Sequence, residues 1–581
     1  MYLGISAYNH ESAAAIVSNN GILLDFSREE TLSRVKCDRS FPKRSINKLL
    51  RDCHCTFDDI SKVIFYERPL SSYLHPLVVA AKHFPASRAL IANQLRNFTL
   101  SSTRVYSDVL SLDSRLQGKL IYCDHHLAHT LNALTYSAKQ SNVCSIVVDG
   151  FGDRSTASIS LIHSPSDVLE LWCLQYPCSL GLFYTAITDY LGFAVNEGEY
   201  KVMGLAAYGN FSESYSKLFN QLLFWNDSLK TVCCDLKFFN YHISPLISYS
   251  ELLADSLGPS RNHFETLDPS SAEFQRYADI AFAAQSTLEN VLVSIFEYAY
   301  SLCQTNHFVF SGGVAMNSAS LRRLASLPFV DSIVVPPSPG DAGSSIGAAM
   351  YGFIRASLPS AHSSLSLVTP SLFPTRSDQS HQHDALSLLL ERHFYRLADD
   401  LESSLLLLSR LIREDHIIGI VYGDSETGPR ALGHRSLICN GQSHTAVQRL
   451  NSLIKKRSLF RPTAPAMKHE TAQSHYVLHQ ELMPVYSSMS ATALANSDFA
   501  KSLPTTHVDQ TARLQIVENG SLLDKILDNL RLYNISIIAN SSLNLSGDPT
   551  CGDLVDGLMV CARSPLRYLL TDFGLYQKRA D

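Results

Sequence analysis

Three short apolar runs open the chain. YLGISA, AAAIVS and ILLDF are each of strand length, and the polar SNNG at 18–21 reads as the turn before the third. The same grammar returns near residue 143. VCSIVVDGFGD is an apolar strand running into a glycine-bearing turn, and STASISLI is the returning strand. Further on, VVPPSPGDAGSSIGAAM reads as strand, glycine loop and a helix of small residues. The pattern lapses from about 355 to 384, where Ser, Pro and His dominate without apolar periodicity, and this stretch is expected to be a linker. Helix and strand patterns resume at ALSLLLERHF and HIIGIVYG. LLLL at 405–408, flanked by charge, predicts part of a buried helix, and SMSATALANSDFAKS at 488–502 predicts a polar loop.

Two strand–turn–strand openings predict a duplicated α/β unit. This is the construction of the actin-like (ASKHA) ATPases, whose two related lobes hold a nucleotide between them. The chain of 581 residues exceeds what one hydrophobic core supports. We expect domains at 1–354, with a second lobe from about 143, and at 385–581, joined by the linker.

A formal net charge of −6, with no strongly basic segment, argues against a nucleic-acid surface. The 13 cysteines include no CxxC pair, and MYLGISAYNH carries no secretory pattern, so free thiols in a reducing cytoplasm are expected. No apolar run approaches the roughly 20 residues that span a bilayer.

Candidate chemistry begins at CDHHLAHTLNAL, residues 123–134. On a helix, His125 and His129 at i and i+4 share one face, and His126 points aside. Such a pair chelates a divalent ion or, equally, forms a helix start with hydrogen-bonded imidazoles. Asp149 ends an apolar strand, where a carboxylate is an odd choice, and Asp341 sits in the glycine loop before the small-residue helix. A turn residue or a helix cap also explains each. Two histidines and two carboxylates together suit iron(II), manganese or zinc.

Eleven stretches, in order along the chain, carry a resemblance to a known family. They are SREETLSRVK with FP (27–42), HHLAH (125–129), VVDGFGD (147–153), SLGLFYTAITDYLGF (179–193), NEGEYKVMGLAAYG (196–209), SGGVAMNS (311–318), PGDAGSSIGAAM (339–350), GDSETGPRALGHRS (423–436), FRPTAPAM (460–467), HVDQTARLQ (507–515) and NSSLN (540–544). The chain resembles the O-carbamoyltransferases of antibiotic tailoring and nodulation-factor modification. The resemblance implies an ASKHA-type transferase domain followed by an α+β YrdC-like domain. The second would make carbamoyl adenylate from carbamoyl phosphate and ATP, with Mg2+. The first would pass the carbamoyl group to a hydroxyl of a small-molecule acceptor. It also implies a metal, iron(II), on His125, His129, Asp149 and Asp341.

By the same resemblance Glu199 and Lys201 stand beside the nucleotide, with Gly312, Gly313 and Asn317 in contact with it. Arg430, Lys455, Arg461, Arg513 and Asn540 would line the phosphate cleft, with Arg435 nearby. Guanidinium forks suit such polyanions. His10 would face the acceptor, either as general base or as a hydrogen-bonded residue at a strand end. Glu30, Arg34 and Lys36 would border that site. The C-terminal motifs depart from the family pattern. NSSLN and GDP stand for NTSFN and GEP, Gln510 for Gly, and CNGQ replaces the Asp-Pro that usually follows GHRSLI.

Rival readings are an ASKHA kinase or ATPase, a relative of the threonylcarbamoyl-type tRNA enzymes, and a metal protein without catalysis. The first has no use for HxxxH with a cationic C-terminal domain, the second lacks a basic surface, and the third leaves the glycine loops idle. A homodimer stays open.

Overall fold

The computed structural model describes every residue except 102, 264, 266, 358–366, 369–389, 459 and 580–581, and the side chains of 97–101 are also left aside. The stretch expected as a linker lies almost wholly outside the described residues. Two compact units emerge. One comprises Met1–Glu29 and Cys37–Pro370, and the other Glu30–Lys36 and Ser371–Asp581.

In the first unit, β1 (Tyr2–Ser6), β2 (Ala13–Val17), β3 (Leu23–Arg28), β4 (Lys62–Phe65) and β5 (Leu120–Tyr122) form a sheet in the order β3-β2-β1-β4-β5. Leu3 of β1 faces Ile16 of β2 in antiparallel register and Val63 of β4 in parallel register. Every residue of β1 and β2 is buried, which explains their unbroken apolar runs.

A second sheet repeats this topology. It contains β6 (Val143–Gly152), β7 (Ser155–Ser164) and β8 (Asp167–Gln175), followed after a separate hairpin of β9 (Leu223–Asn226) and β10 (Thr231–Cys234) by β11 (His307–Ser311) and β12 (Ser332–Val334). Its order is β12-β11-β6-β7-β8. As in the first sheet, the first strand pairs antiparallel with the second and parallel with the fourth. The duplication legible in the sequence is thus present strand for strand.

A helix follows the fifth strand of each sheet: His125–Thr135 after β5 and Asp341–Ser357 after β12. They cross in close contact, because a Cβ on Gly347 would stand 1.7 Å from the Ala128 carbonyl oxygen. Each also leans on the other's sheet. A Cβ on Gly4 of β1 would come within 1.9 Å of the Ser345 oxygen, and Thr130 Oγ1 lies 2.8 Å from Ser145 Oγ of β6.

The second unit holds an eight-stranded sheet. Its strands are β13 (Phe394–Ala398), β14 (Ile418–Val421), β15 (Arg435–Asn440), β16 (Ala464–Met467), β20 (Gln515–Ile516), β21 (Ile537–Ser542), β22 (Tyr568–Thr571) and β23 (Gly574–Lys578). Their order is β13-β23-β22-β14-β15-β21-β16-β20. A smaller sheet joins β17 (Tyr476–Val477), β18 (Thr492–Ala495) and β19 (Thr511–Arg513). Ile418, Ile420, Ile438, Ile538 and Leu570 of the eight-stranded sheet form part of the core of this unit.

Two local expectations change. The leucine run lies in the helix Leu401–Arg413, where Leu405 and Leu408 face the core but Leu406 is 50% exposed, as 3.6-residue periodicity requires. The stretch 488–502 is not one loop. Its alternating TALA forms β18, and Ser497 caps the short helix Asp498–Ser502. Among the described residues no helix is long and apolar enough to cross a membrane.

Candidate active site

The Asp124 side chain accepts the Leu127 N–H and starts the helix His125–Thr135, of which all but one residue is buried. Its first two turns carry the outer histidines. The Nε2 atoms of His125 and His129 lie 3.2 Å apart and point at Asp149 Oδ2, at 3.2 and 3.1 Å. Asp341 Oδ1 stands 3.7 Å from His125 Nε2 and 3.5 Å from His129 Nε2. Asp149 belongs to β6, and Asp341 opens the helix after β12. The structure therefore brings the four residues of the sequence-derived set together. His126 turns away, with its Nδ1 2.7 Å from Ser158 Oγ.

The donor set fits a divalent metal. Four donors about 2.0–2.2 Å from one ion stand roughly 3.4 Å apart in a tetrahedron, and the observed separations are 3.1–3.7 Å. Charge gives the same answer. Although burial opposes protonation of His125, Asp149 and Asp341 raise its pKa to about 10. Burial would raise the Asp149 carboxyl, but His125 and His129 hold it well below the usual range. A buried carboxylate and a half-buried one thus call for two positive charges, which two protons or one divalent cation supply. The far ring nitrogen of His129, Nδ1, lies 3.5 Å from Ser311 Oγ, which itself donates to the Pro339 carbonyl at 3.2 Å. That arrangement leaves Nε2 as the ligating atom.

Gly312 and Gly313 border this cluster. Gly312 has φ +93, and a Cβ there would meet the Val148 oxygen at 2.2 Å. The N–H groups of Gly313 and Gly150 donate to Asp149 Oδ1 at 3.0 and 2.8 Å, aiming the carboxylate. Asn317 caps the helix Ser318–Ala325 and exchanges two hydrogen bonds with Gln285. Glu199 binds its own segment, accepting the N–H groups of Asn196 and Gly198. Lys201 Nζ lies 5.5 Å from the centre of the Phe193 ring, and the buried Arg261 guanidinium lies 4.6 Å from that centre. His10 follows β1 and lies 3.0 Å from the Asn196 carbonyl. Burial works against its protonation, but Glu11 and Asp341 raise its pKa above the ordinary value.

In the second unit, Lys455 is 7% exposed. Its Nζ donates to the Ser542 carbonyl at 2.9 Å, the Asn544 carbonyl at 2.9 Å and Asn544 Oδ1 at 2.6 Å. Burial, Arg457 and Arg461 pull its pKa down. Asn540 lies on the same strand end, donating to the Ala431 carbonyl at 3.0 Å and to Gln515 Oε1 at 2.7 Å. Those two bonds draw in the loop after Arg430 and the strand after Arg513. Arg435, by contrast, is buried and donates to the Gly552, Tyr422 and His434 carbonyls, a structural use of its fork. Arg34 is likewise spent on the Thr550 and Pro549 carbonyls, beside Asp556. Glu30 and Lys36 fall in the same second unit.

The sequence profiles of the carbamoyltransferase N-terminus and C-terminus match residues 1–350 and 409–578. The chain belongs to the carbamoyltransferase family. It is an enzyme of that class. Nodulation protein NolNO of Sinorhizobium fredii is 26% identical over 99% of this chain and 80% of its own length. The 3'-hydroxymethylcephem-O-carbamoyltransferase of Streptomyces clavuligerus is 26% identical over 46% of this chain and 48% of its own length. Among solved structures, the activator of the 2-hydroxyisocaproyl-CoA dehydratase from Clostridium difficile aligns at 14% identity. That match covers 62% of this chain and 98% of that chain at a TM-score of 0.31.

Sequence reasoning about this carbamoyltransferase missed a second ring of residues. Asp153 Oδ2 accepts the His125 N–H at 2.9 Å, and its Oδ1 accepts the Arg68 N–H at 2.8 Å. Glu67, just past β4, is bound by Asn9 and Ser72. No spacing marks these positions. Only the closing of the first sheet brings them behind the histidines.

Proposed function

We propose that the enzyme makes carbamoyl adenylate from carbamoyl phosphate, ATP and one water, releasing pyrophosphate and phosphate, and transfers the carbamoyl group to a hydroxyl of a small molecule. The observation that carries this reading is the convergence of His125, His129, Asp149 and Asp341 at the meeting of two like-built sheets. A kinase has no need of such a donor set. The first unit is read as ASKHA-like and the second as YrdC-like. Buried Lys455, with Arg457 and Arg461 near it and no carboxylate in ion-pair range among the described residues, supports a polyanion site in the second. Arg430, Arg513 and Asn540 are assigned to the same cleft, with Mg2+ accompanying ATP. A hydroxyl acceptor follows from the cephem relative, whose name places its carbamoyl group on oxygen.

His125, His129, Asp149 and Asp341 would hold the divalent ion, iron(II) by family resemblance, which supplies Lewis acidity when bound. Gly312, Gly313, Asn317 and Lys201 are assigned to the nucleotide end of the carbamoyl adenylate. His10 takes the proton of the acceptor hydroxyl as its oxygen bonds to the carbamoyl carbon and AMP departs. The test is pyrophosphate release from ATP with and without carbamoyl phosphate, followed by mass spectrometry of an acceptor panel. Release that ignores carbamoyl phosphate would refute the first half-reaction.

A further inference from the structure

We propose that Glu67 is a positioning residue of the transfer site, a neutral acid joining the turn that carries His10 to the helix that carries the metal ligands. Its role in transfer rests on the two-step reading above, whereas its protonation state does not. Glu67 is 3% exposed. Its Oε2 lies 2.9 Å from Asn9 Nδ2 and 3.0 Å from Ser72 Oγ. The same Ser72 Oγ lies 3.2 Å from Asp153 Oδ1.

A serine hydroxyl has one hydrogen and cannot donate to two carboxylates. One of the two contacts therefore needs a proton on the carboxyl side. Burial raises the Asp153 carboxyl too, but Asp153 accepts two backbone N–H groups, from His125 and Arg68, and these favour its ionised form. Among the described residues, Glu67 accepts only a neutral side-chain amide besides the serine contact. The proton belongs on Glu67. Its O–H then donates to Ser72, Ser72 donates to Asp153, and Asp153 holds the first N–H of the ligand-bearing helix.

Charges around Glu67 agree with this direction. Burial is the largest influence and pushes its carboxyl up to about 7, with His125 opposing and Asp153 and Asp341 reinforcing. Ionising Glu67 would turn the Ser72 hydroxyl towards it. Asp153 would lose a donor at the N-terminus of the helix that presents His125 and His129. At the other end, Asn9 binds both Glu67 and the Tyr66 hydroxyl, at 2.9 and 3.1 Å, and fixes the residue before His10.

The experiment has a spectroscopic arm and a kinetic arm. Infrared difference spectra of wild type against Glu67→Gln, without substrate, are expected to show a carboxylic-acid band at pH 6 that titrates away near neutrality. Absence of that band overturns the proposal, whether or not the two-step reading holds. For the kinetic arm, synthetic carbamoyl adenylate and acceptor are supplied. Glu67→Ala should lose transfer by about tenfold or more, and Glu67→Gln, which mimics the neutral acid, should restore it to within about threefold while removing the decline above neutral pH. A loss of about 100-fold or more in Glu67→Gln, with Glu67→Asp active, would mark an ionised base instead and overturn the assignment. If Glu67→Gln does not fold, pH titration of the wild-type band decides alone.

Discussion

His125 and Asp341 occupy the same place in two halves of one unit. Each is the first residue of the helix that follows the fifth strand of its sheet. Their helices cross, so equivalent positions on two like-built halves face one another across 3.7 Å. The candidate metal site is a product of that duplication, completed by His129 one turn on and by Asp149 from the first strand of the second sheet.

About one divalent ion per chain is expected in the first unit. His129→Ala and Asp341→Ala should each abolish tight binding, measured by metal analysis after exhaustive dialysis. Unchanged occupancy in both would remove the site.

Gly347→Ala offers a test with an unusual sign. Alanine in a helix interior normally gains about 1 kcal/mol over glycine. Here the added methyl would stand 1.7 Å from the Ala128 oxygen. The helices must part, at a cost of about 1–3 kcal/mol or more. A lower Tm and weaker metal retention are expected. A raised Tm would mean that the crossing is looser than described.

The proposed division of labour between the units is tested by rescue. Arg461→Ala should lose pyrophosphate release that depends on carbamoyl phosphate, and synthetic carbamoyl adenylate should restore product. His129→Ala should still release pyrophosphate and should not be rescued. Failure of both variants at pyrophosphate release would show that the two half-reactions share one site.

Glu67 also makes a stability prediction. Its carboxyl is raised from 4.5 to about 7 in the fold. Between those values the folded protein binds more protons than the unfolded chain, so stability falls as pH rises. The contribution is complete below 4.5 and lost as pH passes through 7. Glu67→Gln lacks this loss, and its Tm relative to wild type should improve from pH 5 to pH 8. A constant difference over that range would show that Glu67 does not titrate there.

Much of this arrangement was legible before any coordinates. The two strand–turn–strand openings are local patterns, and so is the i, i+4 spacing of His125 and His129. Asp149 stood out because a carboxylate ending an apolar strand is locally out of place, and Asp341 because it sits in a glycine loop between a strand and a small-residue helix. Glu67, Ser72 and Asp153 did not, because their meeting depends on how β4 and the turn after β6 pack, which no window of sequence encodes. Residue type misled at Arg435, whose guanidinium group is used on backbone carbonyls. It also misled at Leu406, where four equal letters hide two different faces of one helix.

The crossed helices have a consequence for synthesis. The strand β1 leaves the ribosome long before the helix that covers Gly4, which is not complete until Ser345 has been added. At about 5–20 residues per second, the interval is roughly 20–70 s. Throughout it, one face of the first sheet waits without its partner. The same interval delays Asp341, so His125 and His129 spend that time without their fourth companion. An ion held by all four residues would therefore be a late arrival in the life of the nascent chain.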